Sequence, residues 1–282
     1  MGFRLALVQP IAHRPPDDER NVTDAVGQVS YAASQGAEVV AFPETYPGPW
    51  RTPMTFDPTQ EMAAAAKEHG VTIQFGTLEA IAGEPEAAYN VLKLVAPDGS
   101  ISGAYRRTHP PGPWIYAGGV WDFDYRVGDE YPVFESEHGT IGLAMCSEAF
   151  MPEVARALAL RGAEIIFMPA GIDKKKLWAA WRNLIWARAT ENLAVVITTQ
   201  NLFDDSERGL AMVAQPEEIV FEADGPGTFL IDIDLTRLRE MRGQEDGPKS
   251  SEEYGAKPGV LSQWQRPEMR DKVYPSVTRT PA

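Results

Sequence analysis

Short apolar segments rich in β-branched residues recur along most of the chain, and helical stretches fall between them. FRLALVQ (3–9), EVVAFP (38–43), VTIQFGTL (71–78), NVLKLVAP (90–97) and SISGAYRR (100–107) read as strands bounded by Pro, Gly or Asp. YPVFES, GTIGLAMC, EIIFMP, AVVITTQN, GLAMVAQ, EIVFEA and TFLIDIDL continue the series. Apolar spacing near 3 and 4 predicts helices over about 20–35, 60–69, 152–161, 176–191 and 235–242. Strands outnumber helices roughly two to one. A single doubly wound sheet would pair them one to one, so the ratio points to an α/β fold with two sheets and helices on their outer faces.

The chain has 282 residues with 44% hydrophobic content, enough to fill such a core. No internal repeat breaks it. After residue 242 the sequence turns polar and rich in Gly and Pro (GQEDGPKSSEEYGAKPG), so 1–242 reads as one domain and 243–282 as a C-terminal tail, mobile or laid across a partner subunit. The formal charge of −14, from 40 acidic against 26 basic residues, makes phosphate backbones and anionic membranes poor partners. The opening MGFRLALVQP is too short an apolar run for a secretion signal, and no later run is long enough to span a bilayer. The single cysteine has no internal disulfide partner, in keeping with a reducing compartment. A cytoplasmic location follows as the expectation.

Three strand ends carry candidate chemistry. Glu44 stands at the exit of VVAFP, where a buried strand would not otherwise place a charge. Its plain alternative is a turn or capping carboxylate. Cys146 follows GTIGLAM at a sharp Cys146-Ser147-Glu148 turn before a helix. A side chain there projects from the end of the sheet, with backbone N–H groups nearby to hold an oxyanion. A lone cysteine after an apolar strand is also a common inert core residue. Arg106 and Arg107 close the strand SISGAYRR beside Thr108 and His109 and precede a Pro/Gly loop full of rings. A cation there can steady developing charge, or simply be solvated surface.

Together FPE at Glu44, YRRTH at Arg107 and AMCSE at Cys146 resemble the pattern of the nitrilase superfamily of carbon–nitrogen hydrolases. The resemblance extends through LALVQP, YNVLKLVAPDGSISGAYRR, RALALRGAEIIFMPAG, WRNLIWARATENLAVVITTQN and GLAMVAQPEEIVFEADGPGTFLIDIDL, over roughly residues 3–242. It implies a four-layer α-β-β-α sandwich and a cysteine-dependent hydrolase of non-peptide carbon–nitrogen bonds. In that scheme Glu44 is the base, Cys146 the nucleophile, and Arg107 and the Ser147 N–H stabilise charge, with Glu148 a supporting acceptor. Two departures stand out. Arg107 occupies the position where the family carries lysine, and PPGPWIYAGGVWDFDY lacks the glutamate that many members carry there, its nearest acids being Asp122 and Asp124. Arginine keeps the charge and the donors but stays protonated and does not shuttle protons.

The resemblance implies a small amide substrate giving acid and ammonia through a thioester. The alternatives are a nitrile substrate or a non-catalytic binding member of the fold, the latter prompted by Arg107 and the missing glutamate. Tyr46, Trp50, Trp114, Tyr116 and Trp121 are the aromatic candidates for the substrate pocket. No metal-spaced His/Cys cluster or phosphate-cradling glycine loop is present, so no cofactor is implied. His109 as a papain-like partner of Cys146 lacks that family's context and reads as a satisfied loop histidine. The resemblance also implies a homodimer or higher homo-oligomer, paired through the surface that carries the helix after the cysteine.

Overall fold

The structure is a computed structural model and describes residues 2–110, 121–171, 177–244 and 253–273. The first sheet is built from β1 (Gly2–Gln9), β2 (Val39–Ala41), β3 (Thr72–Ile81), β4 (Glu84–Val95), β5 (Ile101–Arg106), β6 (Asp124–Arg126) and β13 (Gly227–Asp234). Its strand order is β13-β1-β2-β3-β4-β5, with β6 added against β4. The second sheet contains β7 (Val133–Phe134), β8 (Ile141–Leu143), β9 (Ile165–Phe167), β10 (Val195–Thr198), β11 (Ala211–Ala214) and β12 (Ile219–Ala223), in the order β12-β11-β10-β9-β8-β7. Helices α1 (Arg20–Ser34) and α2 (Thr59–His69) connect strands of the first sheet, and α3 (Pro152–Leu160) and α4 (Trp178–Asn192) those of the second. Helix α5 (Thr236–Gly243) follows β13, and α6 (Pro267–Val273) lies in the C-terminal segment.

The layers follow from the two-residue alternation of strand side chains. Leu5 and Leu7 of β1 face a central core with Leu143, Phe167, Ile197 and Val213 of the second sheet. Ala6 and Val8 face the other way, into a cluster with Val29 of α1 and Met62 of α2. In the second sheet Ile166, Val196 and Met212 turn outward to meet Leu158 of α3 and Trp181 and Ile185 of α4. Three apolar clusters between four layers give the α-β-β-α sandwich.

The expected helices appear within two residues at each end, because their apolar stripes are buried as the spacing requires. Strand boundaries move more. β4 begins at Glu84, six residues before the expected 90, since pairing with β3 carries it beyond the apolar run. YPVFES shortens to the two residues of β7, and β6 and α6 have no apolar signature in sequence. Part of the C-terminal segment packs on its own chain: Ala256 is buried with Leu193 and Met241, and Arg156 Nη1 donates to the Val260 carbonyl at 3.2 Å.

Parallel strands β1, β2 and β3 in one sheet and β8, β9 and β10 in the other end on the same side of the sandwich. Loops leaving those ends carry Glu44 and Cys146. The architecture thus assembles its candidate site where strand polarity gathers chain reversals.

Candidate active site

The Glu44 turn is fixed before any chemistry is considered. Beyond β2, Phe42 N–H donates to the Gln74 carbonyl at 3.0 Å, extending the parallel pairing to the edge of the turn. Thr45 then adopts φ +52°, a left-handed conformation that costs a non-glycine residue on the order of 1–2 kcal/mol. Several bonds hold it there: Thr45 Oγ1 donates to Asn90 Oδ1 at 3.0 Å, Asn201 Nδ2 to the Glu44 carbonyl at 2.9 Å, and the Trp50 indole N–H to the Thr45 carbonyl. Gly76 of β3 donates its N–H to the Tyr46 carbonyl at 2.9 Å. A Cβ on Gly76 would lie 2.1 Å from the Thr45 nitrogen, so only glycine admits the turn this close to the sheet. Gly76→Ala is expected to displace Glu44 and lower turnover at least tenfold while the helices remain folded. Steady-state rates beside far-UV circular dichroism check this.

Cys146 is set by a second strained turn. Its N–H donates to the Pro169 carbonyl at 2.7 Å, in register with β9, and its φ is +50°. A short 3₁₀ helix, Cys146–Phe150, begins there. Glu148, fully buried, holds the turn to the loop after β5. Its Oε2 accepts from Met145 N at 2.8 Å. Its Oε1 accepts from Tyr105 Oη at 2.6 Å, Thr108 N at 2.9 Å, Thr108 Oγ1 at 2.8 Å and His109 N at 3.0 Å. Burial, reinforced by the Glu148 charge, pushes the Tyr105 phenol pKa up and keeps it a donor. From the other side, Arg188 Nε of α4 donates to the Ala149 carbonyl at 3.0 Å. Glu148 thus has its oxygens engaged by donors of the surrounding loops, the position of a brace more than of a base.

Arg107 joins the two turns. Its N–H continues the β4–β5 ladder by donating to the Asn90 carbonyl at 2.9 Å. The guanidinium, wholly buried at its side chain, donates from Nη1 to Glu44 Oε1 at 2.6 Å and from Nη2 to Ser147 Oγ at 2.5 Å. Nε donates to the His109 carbonyl at 3.2 Å, and Ser147 Oγ donates to the same carbonyl at 3.1 Å. Asn90 Nδ2 supplies Glu44 Oε1 with a second donor at 2.9 Å. Glu44 is 3% exposed, so this is a buried ion pair whose charges are met by fixed donors and acceptors. The planar fork reaches both the carboxylate and the hydroxyl beside Cys146, a span that suits guanidinium geometry.

The two oxygens of Glu44 differ in surroundings. Oε1 is occupied by Arg107 and Asn90, whereas Oε2 lies beside Gly171: a Cβ built there would stand 2.9 Å from Oε2 and 2.9 Å from Trp121 Cζ2. Carboxylate and indole edge thus both approach Gly171 too closely for any side chain there. Trp50 packs tilted against Trp121, with ring centroids 5.7 Å apart, but is itself fully buried. Tyr46 differs from its expected place. It sits in the core under α1, stacked on Phe42, with its hydroxyl donating to Gln28 Oε1 at 3.4 Å, because the turn swings its ring toward the outer helices. Trp114 and Tyr116 lie outside the described residues. Asp124 is exposed and paired with Arg126 at 2.8 Å, and the Asp122 backbone bonds to Trp50 and Thr52. His109 directs Nδ1 to Thr108 Oγ1 at 2.9 Å and stacks on Tyr131.

Asn90, Asn201, Gly76 and Gly171 escape sequence reading as site residues. The signal for the asparagines is an amide inside an apolar strand, YNVLKL, and one at the end of a polar run, TTQN, that closes VVI. Among the described residues no group of three or more His, Cys, Asp or Glu side chains can hold a metal ion. No helix among them is long and apolar enough to cross a membrane.

Comparison with known proteins places this geometry in context. The carbon–nitrogen hydrolase family model matches residues 4–242. The chain is 30% identical over 264 residues to omega-amidase NIT2 of Mus musculus, covering 86% of this chain and 92% of the mouse protein. It is 29% identical to the deaminated glutathione amidase of Synechocystis sp., covering 85% and 95%. Among solved structures, an amidase from Nesterenkonia sp. superposes with a TM-score of 0.72 at 21% identity, covering 86% of this chain and 94% of that one. A mutant of the Nesterenkonia amidase, described as showing covalent addition of an acetamide moiety at the active-site cysteine, gives a TM-score of 0.75 at 18% identity, covering 96% of each chain.

Proposed function

Because the chain belongs to the carbon–nitrogen hydrolase family, we propose that it is an amidase in which Cys146 is the nucleophile, Glu44 the base and Arg107 the group that positions Glu44. The observation that carries this reading is the Arg107 fork, which ties the Glu44 carboxylate to Ser147, the residue next to the only cysteine.

In the proposed reaction the Cys146 thiol gives its proton to Glu44 and the sulfur attacks the amide carbon. Negative charge gathers on the substrate oxygen, toward which the Ser147 N–H is proposed to point. Collapse breaks the C–N bond, and Glu44 returns the proton to the departing nitrogen, releasing ammonia and leaving a thioester. Glu44 then takes a proton from water as its oxygen attacks the thioester, and the thiol is restored as the acid leaves. Arg107 takes no proton in this scheme. With its fork on Glu44 and Ser147, it keeps the base aimed.

The curated relatives named above are amidases, which supports an amide over a nitrile as substrate. Ammonia release from a panel of aliphatic and aromatic amides and nitriles tests the reading. It requires turnover on at least one amide and its loss in Cys146→Ala. Complete silence across the panel, with ligand binding intact, would favour the non-catalytic alternative. The reading also includes self-association through the surface that carries α3, where Leu160, and Phe150 and Met151 just before the helix, are each exposed. A monomer mass by light scattering would exclude that part.

A further inference from the structure

Cys146 holds φ +50°, a left-handed conformation that a non-glycine residue keeps only where its surroundings fix it. Glu148 ties the 3₁₀ helix Cys146–Phe150 to the loop after β5. A second hold comes from the opposite side. The last carbonyls of a helix find no partner within it, and that of Ala149 accepts from Arg188 Nε of α4 at 3.0 Å. Ala149 is fully buried, in one apolar cluster with Ile185 and Ala189 of α4, and Arg188 is only 6% exposed. The bond is therefore made out of bulk water, where an unmet carbonyl is costly.

The guanidinium is held in its turn. Nη1 donates to Glu191 Oε1, three residues further along α4. The Glu191 carbonyl, in the last turn of α4, accepts from Arg156 Nη2 of α3 at 2.5 Å. Arg156 Nη1 donates to the Val260 carbonyl of the C-terminal segment at 3.2 Å. A chain of bonds thus runs from Val260 through Arg156, Glu191 and Arg188 to the turn that carries the cysteine. From one rigid plane, Arg188 Nε and Nη1 reach acceptors on two different elements, which an ammonium on a flexible stem does not reproduce. Helix α4 covers the outer face of the second sheet, whereas Glu44 and Arg107 leave strands of the first. Of these three residues, the chain of bonds bears on Cys146.

We infer that Arg188 is a positioning residue for the nucleophile, holding the Cys146 turn from behind, and that Glu191 and Arg156 hold Arg188, with the C-terminal segment as their outer anchor. The inference rests on Cys146 being the nucleophile of the proposed reaction. A displaced sulfur is out of line with the amide carbon and out of reach of Glu44, while the contacts that bind substrate are untouched. Loss of the hold therefore lowers kcat and leaves KM.

Arg188→Met keeps the apolar stem and removes the charged head. In amide hydrolysis below the melting temperature, its kcat is expected to fall at least about tenfold, with KM within about twofold of wild type. Glu191→Gln, which keeps a neutral acceptor, and Arg156→Met, which cuts only the outer tie, are each expected to lower kcat about threefold. Alkylation by chloroacetamide, in which the Cys146 sulfur displaces chloride, reads the same thiol without turnover. At neutral pH its rate, followed by intact mass, is expected to fall about tenfold in Arg188→Met, and the difference to close in alkaline solution, where hydroxide takes the thiol proton in place of Glu44. A lower melting temperature with kcat and alkylation unchanged would mark Arg188 as a structural residue and overturn the inference. A raised KM at constant kcat would overturn it too, by moving the effect to binding. If Arg188→Met does not fold, a fall in kcat alone in Glu191→Gln and Arg156→Met supports the inference, and wild-type kcat in both overturns it. Amide hydrolysis that persists in Cys146→Ala would instead refute the proposed nucleophile, a failure distinct from wild-type rates in the Arg188 series.

Discussion

Arg107→Ala will unfold at markedly lower denaturant than the wild type and lose its activity with it. The guanidinium is fully buried at its side chain and Glu44 nearly so, with Nη1 and Oε1 2.6 Å apart. Removing one member of such a pair leaves a charged carboxylate in a site that excludes water, at a cost of about 3–5 kcal/mol. Asn90 Nδ2, 2.9 Å from Oε1, is too little compensation for an ionised group. The same deletion frees Ser147 Oγ from its bond to the fork, so both sides of the site lose their tether. Urea titration should therefore show a lower midpoint, and single-turnover assays at low temperature a rate at least a hundredfold lower. Arg107→Lys separates charge from shape. An ammonium retains the charge but cannot hold Glu44 and Ser147 as a planar fork does, so stability should recover more than activity. Full recovery of both by lysine would show that the fork geometry is not required.

The second large effect concerns the base itself. Glu44→Gln keeps the volume and a carbonyl oxygen for Arg107 and Asn90 but takes away the group that accepts the thiol proton. The proposed scheme uses Glu44 in thiol activation, in protonation of the leaving nitrogen and in water activation. Loss of amide turnover by a factor on the order of 10³ or more is therefore expected. Reaction with a strongly activated acyl donor, such as a p-nitrophenyl ester, should suffer less in acylation than in deacylation, because the leaving group needs no proton while the attacking water still needs a base. Stopped-flow kinetics would then show a burst of nitrophenolate followed by a slow steady state. Equal loss in both phases would remove Glu44 from the water-activating step.

The fold was legible because its determinants are local. A two-residue alternation such as Leu5-Ala6-Leu7-Val8 divides a strand between two cores wherever it is placed, and its repetition yields two sheets with helices outside. β6 was not legible because Asp124–Arg126 gains strand geometry only by lying against the early half of β4, a partner remote in sequence. The candidate site divides in the same way. Glu44, Arg107 and Cys146 could be singled out by unusual residue types at strand ends. Asn90 could not, since its importance is a bond to Glu44 across a sheet, and Gly76 and Gly171 act through the space they leave free. Tyr46 shows the reverse error: an aromatic residue two positions from Glu44 suggested a pocket wall, yet the left-handed Thr45 turns its ring into the α1 core.

The most direct test of the proposed chemistry is to trap the acyl group on the protein. The wild type, mixed with a good amide substrate and quenched in acid during the steady state, should carry the mass of the acyl group on a single peptide, that containing Cys146, and hydroxylamine should remove it. Cys146→Ala should show neither adduct nor turnover. Amide hydrolysis that persists in Cys146→Ala, or that proceeds in the wild type without a thioester at this cysteine under conditions where deacylation limits the rate, would contradict the account.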